Sequence, residues 1–272
     1  MLYLDAKNVR FPALGLGTWE LRGRECARLV EQAVRLGYRH FDTAQMYGNE
    51  REVGEGIRAS GIKRDEVFVV TKVSPENLAP ALLLRSVKES VGALRLGEID
   101  LLLLHWPNKG VPLADTIEAL LSVKRDGYVR NIGVSNYTVA LIEEASRLAG
   151  DRLVCNQFEY HPYLDQSKVL AACRAHGMAA VAYSPIAKGS TRSDSVLTRI
   201  GKAYGKSGAQ VSLRWLMQQG VGAIPRTSRV ERLAENIDIF DFELSDAEMR
   251  EIAGLAKPGG RLVDWAWSPK WD

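Results

Sequence analysis

Short apolar runs recur about every thirty residues along this chain, each separated from the next by a longer stretch with helical periodicity. The clearest runs are Phe68 to Thr71, Ile99 to Leu104, Asn131 to Val134, Val154 to Gln157, Ala179 to Tyr183 and Gly222 to Ile224. Ala13 to Leu16 and His40 to Asp42 bring the count to about eight. Runs of this kind are typical of parallel strands buried on both faces. The pattern predicts an α/β fold, a single (β/α)8 TIM barrel.

The segments around these strands carry their own signals. Helices are predicted at Arg24 to Leu36, Leu82 to Leu94 and Thr116 to Arg125, because each periodic stretch ends at or near a glycine. Leu2 to Phe11 alternates apolar and polar residues, which predicts an N-terminal β-hairpin that plugs the bottom of the barrel. Ser245 to Ala253 predicts an extra C-terminal helix, followed by a tail rich in Pro, Gly and Trp.

Composition limits the classes of protein to consider. The chain has 272 residues, 46% hydrophobic and 25% charged, and no linker-like stretch, so we expect one domain over residues 1–272. A net charge of +3, without a basic run, argues against a nucleic-acid partner. The three cysteines suggest no disulfide framework, and the four histidines lack ligand spacing, so no metal is expected. Without a signal-like or membrane-spanning segment, the expected location is the cytoplasm.

One competing fold starts from the glycines at Gly15 and Gly17. Gly-Leu-Gly-Thr-Trp-Glu begins like a dinucleotide-binding Rossmann turn. That turn needs a third glycine and a helix directly behind it, and the bulky Trp19 occupies a position that requires close backbone approach. The barrel is therefore preferred.

Polar residues close almost every predicted strand. They are Asp42, Lys72, His105, Ser135 with Asn136, Gln157, Tyr183 with Ser184, and Arg226 after the last strand. Each alone has a structural explanation, such as a turn cap or an ion-pair partner. Together, Asp, Lys and His at the ends of three consecutive apolar strands would bury charge for no structural gain. Because the carboxyl ends of barrel strands meet at one face, these residues predict an active site.

Several motifs, in order along the whole chain, resemble the aldo-keto reductase family and its compact bacterial branch. They are Gly15 to Trp19, Phe41 to Glu50, Thr71-Lys72, Leu103 to Pro107, Ile132 to Asn136, Asn156-Gln157, Tyr183 to Pro185, and Ile224 to Thr227 with Arg232 and Glu235-Asn236. The resemblance implies reduction of aldehydes or ketones with NADPH, on small dicarbonyls, keto sugars or aromatic aldehydes. It also implies a monomer.

The resemblance assigns Asp42, Tyr47, Lys72 and His105 as a catalytic tetrad, and chemistry agrees with each role. Hydride delivered to a carbonyl leaves an alkoxide that must be protonated. A phenol with a pKa of about 10 is a poor acid unless a cation such as Lys72 favours its ionised form. Asp42 would keep that lysine charged, and His105 would donate a hydrogen bond to the substrate oxygen.

The resemblance also implies a cofactor site. Its residues are Gly17, Thr18, Trp19, Asp42, Ser135, Asn136, Gln157, Tyr183, Ser184, Pro185, Ile186, Pro225, Arg226, Thr227, Ser228, Arg232, Glu235 and Asn236. Tyr183 would stack on the nicotinamide, and Arg226 and Arg232 would bind the 2′-phosphate. The family more often has Lys-Ser at Arg226-Thr227, and solvated arginines at a helix start are the alternative.

The implied substrate pocket is aromatic. It would be lined by Trp19, Tyr47, His105, Trp106, Trp265 and Trp267, with the C-terminal tail crossing the barrel mouth. The alternative for the tail is surface packing. Two other functions stay open: a cofactor-binding regulatory subunit with slow turnover, and a lyase in which Lys72 forms a Schiff base. The lyase needs a neutral, unpaired lysine, which Asp42 argues against.

Overall fold

A computed structural model describes residues 2–272 as ten strands and ten α-helices. In chain order they are β1 (Tyr3–Ala6), β2 (Val9–Pro12), β3 (Leu16–Gly17), α1 (Gly23–Arg35), β4 (His40–Asp42), α2 (Glu50–Ala59), β5 (Phe68–Val73), α3 (Pro80–Leu94), β6 (Ile99–Leu104), α4 (Leu113–Arg125), β7 (Val129–Ser135), α5 (Val139–Ala149), β8 (Leu153–Glu159), α6 (Ser167–Ala175), β9 (Ala179–Tyr183), α7 (Ser195–Tyr204), α8 (Gly208–Gln218), β10 (Val221–Ala223), α9 (Val230–Ile237) and α10 (Asp246–Ala253).

Strands β3 to β10 form one parallel sheet of eight strands in chain order. Parallel bridges from Leu14 to Ala223 and from Gly17 to Arg226 join the first strand to the last. A Cβ on Gly17 would lie 2.6 Å from the Ile224 carbonyl oxygen, so only glycine fits this closure. The predicted (β/α)8 TIM barrel is confirmed.

The first strand and the last crossover differ from the sequence prediction. Ala13 to Leu16 was expected as the first strand, whereas β3 is Leu16–Gly17. The residues before it hydrogen-bond across the closure instead, since the Gly15 amide donates to the Ala223 carbonyl at 2.9 Å. The connection from β9 to β10 holds two helices, α7 and α8, where a regular alternation predicted one.

The N-terminal hairpin, β1 and β2, covers the amino-terminal end of the barrel. Phe11 is fully buried, and its ring stacks on Phe68 at 4.8 Å between ring centres. The His40 Nδ1 atom lies 2.9 Å from the Pro12 carbonyl oxygen. Since Phe68 and His40 begin their strands, the hairpin closes the end opposite the polar strand ends, as predicted.

The extra C-terminal helix is also confirmed. Ser245 precedes α10 and forms a capping box with Glu248. None of the helices within residues 2–272 is long and apolar enough to cross a membrane. In the same range no cluster of three or more His, Cys, Asp or Glu side chains could hold a metal ion.

The contribution of the N-terminal hairpin to stability is tested by truncating Phe11. Phe11→Ala should lower the free energy of unfolding by about 3–5 kcal/mol, because it removes a buried ring stacked on Phe68. Tyr3→Ala on the same hairpin is the control: Tyr3 is 45% exposed, and its loss should cost no more than about 1 kcal/mol. Equal losses in denaturant unfolding would contradict a core role for Phe11.

Candidate active site

A buried ion pair lies at the carboxyl ends of β4 and β5. Asp42 ends β4, Lys72 lies in β5, and their side chains are 1% and 0% exposed. Lys72 Nζ lies 2.5 Å from Asp42 Oδ1 and donates to the Thr43 carbonyl at 2.9 Å. The other Asp42 oxygen accepts from Gln157 Nε2 at 2.8 Å, so both charges are fully engaged.

Tyr47 reaches the same lysine from a short 3₁₀ turn, Gln45–Tyr47, just after β4. Its hydroxyl lies 3.4 Å from Lys72 Nζ. Asn49 fixes this turn from inside, since its amide donates to the carbonyls of Thr18 and Leu21 at 2.8 and 3.0 Å. The turn is thus tied to the barrel closure near β3.

His105 follows β6 directly, and its ring meets the Tyr47 ring edge-on at 5.6 Å between centres. Its carbonyl accepts from Asn136 Nδ2 at 3.0 Å, which links it to the end of β7. Within residues 2–272, the buried His105 Nδ1 has no hydrogen-bond partner. The geometry gathers Asp42, Tyr47, Lys72 and His105 at one end of the barrel.

The electrostatics of Tyr47 differ from the sequence expectation. Lys72 was expected to lower the pKa of this phenol, yet the pKa of Tyr47 lies well above its ordinary value. Burial is the main cause, and the Asp42 carboxylate adds to it by disfavouring a second negative charge. Tyr47 therefore carries its proton in the resting site, as a proton donor must.

Burial also acts on the two basic groups. It lowers the pKa of Lys72, while the adjacent Asp42 carboxylate opposes that shift. Burial, together with the Lys72 cation, holds the pKa of His105 well below its usual value. His105 is therefore neutral at neutral pH, with one N–H to donate.

The polar residues at the ends of β7, β8 and β9 form a hydrogen-bonded row beside this centre. Tyr183 OH donates to Asn136 Oδ1 at 2.8 Å, and Ser135 Oγ donates to the Gln157 carbonyl at 2.8 Å. Asn136 and Ser184 have φ of 63° and 50°, in the left-handed region that favours glycine and that serine adopts less readily than asparagine. Strain of this kind persists where the surroundings over-determine the backbone, often at functional sites.

Five more of the predicted cofactor residues lie in the connection after β9 and at the barrel closure. Ser184 and Ile186 are partly buried and Pro185 is buried, with its carbonyl accepting from Ser212 at 2.7 Å. Gly17 and Thr18 lie at the closure, where the Thr18 hydroxyl donates to the Asp42 carbonyl at 2.9 Å.

The residues after β10 surround the start of α9. Arg226, Ser228 and Arg232 are exposed there, Pro225 and Thr227 are buried, and the helix has no side-chain cap. Arg226 Nε donates to the Trp19 carbonyl at 3.1 Å.

Two predicted cofactor residues at the end of α9 differ in availability. Asn236 Oδ1 is buried without a partner in the described chain. Glu235, by contrast, already accepts from Arg192 Nη1 at 2.7 and 2.9 Å and from Ser207 Oγ at 2.5 Å. The Glu235 carboxylate is therefore already engaged, and a ligand would have to displace one of these partners to bind it.

The tryptophans predicted to line the substrate pocket differ in their exposure and in their ring contacts. Trp19 is 47% exposed and packs edge-on against Tyr47, with 4.9 Å between ring centres. Trp106 is buried, and Trp267 from the tail packs on it at 5.0 Å, so the tail does reach the barrel mouth. Trp265 stacks on Trp267, with 6.3 Å between ring centres.

Sequence reasoning did not assign a role to Trp271, Asn49 or Glu159. Trp271 also packs on Trp106, at 6.0 Å. Asn49 lies within the Phe41 to Glu50 motif, so the sequence did contain a signal that could have identified it. Glu159 lies two residues beyond Gln157, at the end of β8, and its strand position was the available signal.

A closed parallel barrel with a paired lysine and aspartate, a tyrosine and a histidine at its strand ends defines a (β/α)8-barrel enzyme. A model of the aldo/keto reductase family matches residues 13–257. Methylglyoxal reductase DkgB of Salmonella typhi is 39% identical over 264 residues, covering 96% of this chain and 99% of that protein. Glyoxal reductase of Bacillus subtilis strain 168 is 41% identical over 251 residues, covering 92% and 91%.

A solved crystal structure of a protein provisionally described as a 2,5-diketo-D-gluconic acid reductase B is 47% identical, with a TM-score of 0.98. The match covers 100% of this chain and 98% of that one. The chain belongs to the aldo/keto reductase family, as the sequence motifs predicted. It is an oxidoreductase that acts on carbonyl groups.

The lowered pKa of His105 predicts a stability that depends on pH. Below about 6.5 the unfolded chain protonates this histidine while the folded one does not, so the free energy of unfolding falls with falling pH. The fall should be up to about 1.4 kcal/mol per pH unit until the folded pKa is reached. His105→Gln should flatten the slope between about pH 5 and 6.5 in denaturant titrations. Parallel profiles would contradict a buried neutral His105.

Proposed function

We propose that the protein reduces aldehydes and ketones to alcohols with NADPH, using Tyr47 as the general acid. The observation that carries the proposal is the fully buried Lys72–Asp42 pair lying against the Tyr47 hydroxyl. Burying an ion pair costs free energy of desolvation and seldom stabilises a fold. Its position beside a protonated phenol is instead explained by a role in proton transfer.

Residues of this chain fit a dinucleotide phosphate. The exposed Arg226 and Arg232 flank an uncapped helix start, a combination that favours phosphate groups. The unpartnered Asn236 Oδ1 is an acceptor available to an amino group. Further along the strand ends, Tyr183 would stack on the nicotinamide, and Asn136 and Gln157 would hold its carboxamide after exchanging their present hydrogen bonds. The cofactor supplies the hydride.

Proton delivery then follows from the geometry of the tetrad. The neutral His105 donates a hydrogen bond to the substrate oxygen and fixes the carbonyl beside Tyr47. As negative charge develops on that oxygen, the Tyr47 proton moves to it, because an alkoxide is a much stronger base than a phenolate. The Lys72 cation, 3.4 Å from the phenolic oxygen, stabilises the phenolate that forms. Asp42 holds Lys72 in place.

The relatives suggest the substrates. Small dicarbonyls such as methylglyoxal and glyoxal are the substrates in the names of the two relatives described above. Trp19 and Trp106 would line the pocket, with Trp267 as the tail's contribution. Keto sugars and aromatic aldehydes also suit an aromatic pocket of this kind.

The Schiff-base alternative meets an obstacle in the surroundings of Lys72. Its ammonium group donates to Asp42 and Thr43 and faces Tyr47, which leaves no open approach for a carbonyl carbon. A nucleophilic lysine must be neutral, and Asp42 favours its charged form. Reduction is the function that uses all four residues.

The proposal includes a monomer in the cytoplasm. Cys26, Cys155 and Cys173 are buried and free, which suits a reducing compartment. NADPH is the reductant expected to be available there.

Removal of the phenolic proton tests the mechanism. Tyr47→Phe should lower kcat for methylglyoxal reduction about 10²–10⁴-fold, since it deletes the general acid. Cofactor binding, followed by quenching of tryptophan fluorescence, should persist. Tyr128→Phe is the matched control, because Tyr128 precedes β7 at the far end of the barrel. Near-normal turnover by Tyr47→Phe would remove Tyr47 from the mechanism.

Cofactor choice is tested at Arg232. Arg232→Gln should raise KM for NADPH about 10- to 100-fold, the value of a charge-assisted hydrogen bond to phosphate. KM for NADH, which has no 2′-phosphate, serves as the internal control and should change much less. An equal rise for both cofactors would refute recognition of the 2′-phosphate by Arg232.

A further inference from the structure

Asn49 lies at the start of a helix but does not cap it. It immediately precedes α2, where an asparagine side chain usually accepts a hydrogen bond from the first helical turn. Within the described part of the chain, its side chain makes no hydrogen bond to that turn. Asn49 is instead fully buried, and its amide is bonded to other segments. A buried amide that forgoes the helix cap serves those more distant partners.

Three hydrogen bonds fix the orientation of this amide. Its Nδ2 group donates to the carbonyls of Thr18 at 2.8 Å and Leu21 at 3.0 Å, just after β3. Its Oδ1 atom accepts from the Thr43 hydroxyl at 2.6 Å. Because a carbonyl can only accept a hydrogen bond, the two carbonyls require the Nδ2 side of the amide, which leaves Oδ1 for Thr43. Asn49 thus joins the barrel closure to the end of β4.

Thr43 connects Asn49 to the buried ion pair. The Thr43 amide donates to the Val70 carbonyl at 2.9 Å, and the Thr43 carbonyl accepts from Lys72 Nζ at 2.9 Å. The short turn that ends at Tyr47 lies between Thr43 and Asn49 in the chain. The hydrogen bond between Thr43 and Asn49 therefore closes a loop that contains Tyr47 and that is itself bonded to Lys72.

The contact that this loop controls is sensitive to small displacements. The Tyr47 hydroxyl lies 3.4 Å from Lys72 Nζ, near the outer limit of a hydrogen bond. Proton delivery needs this contact while the phenolate forms, since the lysine cation stabilises the new charge. A shift of the turn by about 1 Å would weaken it, and a displacement of that size can slow a reaction about 100-fold.

Other contacts hold the outer side of the same turn. Gln45 Nε2 donates to Ser90 Oγ on α3 at 3.1 Å. On the solvent side, Arg22 donates to the Tyr47 carbonyl. These contacts should keep the turn folded when its inner contact is lost. Loss of the Asn49 amide is therefore expected to displace Tyr47 rather than to unfold the turn.

We propose that Asn49, acting through Thr43, positions Tyr47 against Lys72 for proton delivery. Asn49 and Thr43 are positioning residues, since they act through the phenol and the ammonium group rather than on the reacting atoms. The bond between them sets the separation of those two groups, and the bonds of Asn49 to the closure fix the loop in the barrel. This inference rests on the proposed reductase function and deepens its account of proton delivery.

Two substitutions of Thr43 separate hydrogen bonding from packing. Thr43→Val keeps the shape of the side chain but removes the hydroxyl, and should lower the single-turnover rate of methylglyoxal reduction by bound NADPH about 10- to 100-fold. Thr43→Ser keeps the hydroxyl and should retain most of the wild-type rate, although the lost methyl group lowers its stability. KM for NADPH should change little in either variant, because the bonds from Asn49 to the closure remain.

A double-mutant cycle tests whether Asn49 acts through the phenol. Asn49→Ala should lower the single-turnover rate about 10- to 100-fold in the wild-type chain. The loss should be far smaller in Tyr47→Phe, where no phenolic proton remains to be positioned. A general loss of folding or of cofactor binding would instead lower both rates by the same factor. The matched control is Asn131→Ala, which removes a hydrogen bond to the Asp100 carbonyl near the start of β7 and should leave the rate unchanged.

The outcomes separate the inference from the function on which it rests. A wild-type rate in Thr43→Val, or equal losses in Thr43→Val and Thr43→Ser, would overturn the inference. An Asn49→Ala loss of the same size with and without the Tyr47 hydroxyl would also overturn it. Should Asn49→Ala fail to fold, the two Thr43 variants decide the question alone. A wild-type protein that oxidises no NADPH with methylglyoxal, keto sugars or aromatic aldehydes would overturn the proposed function itself.

Discussion

The ion pair between Lys72 and Asp42 is the constraint on which the rest of the site depends. Two charges removed from water cost several kcal/mol each, and their attraction repays this only with good geometry and further hydrogen bonds. The barrel provides both. Parallel pairing of β4 with β5 brings the two side chains to adjacent strand ends, and Gln157, from β8 on the other side of the barrel, satisfies the remaining carboxylate oxygen.

The same burial sets the protonation states of the neighbouring groups. It raises the pKa of Tyr47 and lowers that of His105, so both groups are neutral and both can donate a proton or a hydrogen bond. The expectation of a depressed Tyr47 pKa treated Lys72 as a free cation. In the structure the Asp42 carboxylate pairs with Lys72 and offsets the effect of its charge on the Tyr47 pKa. The lysine therefore stabilises Tyr47 only once the phenol has lost its proton and become a phenolate.

The sequence was sufficient for the architecture and for placing Asp42, Tyr47, Lys72 and His105 at one end of the barrel, while their catalytic roles stay a prediction. Strand periodicity predicted the barrel, and barrel topology brought Asp42, Lys72 and His105 to one face. It was not sufficient for contacts that depend on side-chain packing across the barrel. Examples are the pairing of Glu235 with Arg192 and the hydrogen bond from Tyr183 to Asn136. Arg192 lies in no motif, and although Tyr183, Asn136 and Glu235 do, no motif marks which side chain each one contacts, because these contacts join residues far apart in the chain.

The tail illustrates how a fixed centre is combined with a variable pocket. The tetrad sits on strands and a turn tied to the closure, where any change of register would move charge into apolar surroundings. The tail adds Trp267 and Trp271 to the mouth, where both pack on Trp106, and its attachments to the barrel include the hydrogen bonds from Leu262 and Val263 to the Glu159 carboxylate. Its side chains can therefore change without disturbing the buried pair. In the proposed function, selection among carbonyl compounds would thus be separated in space from proton delivery.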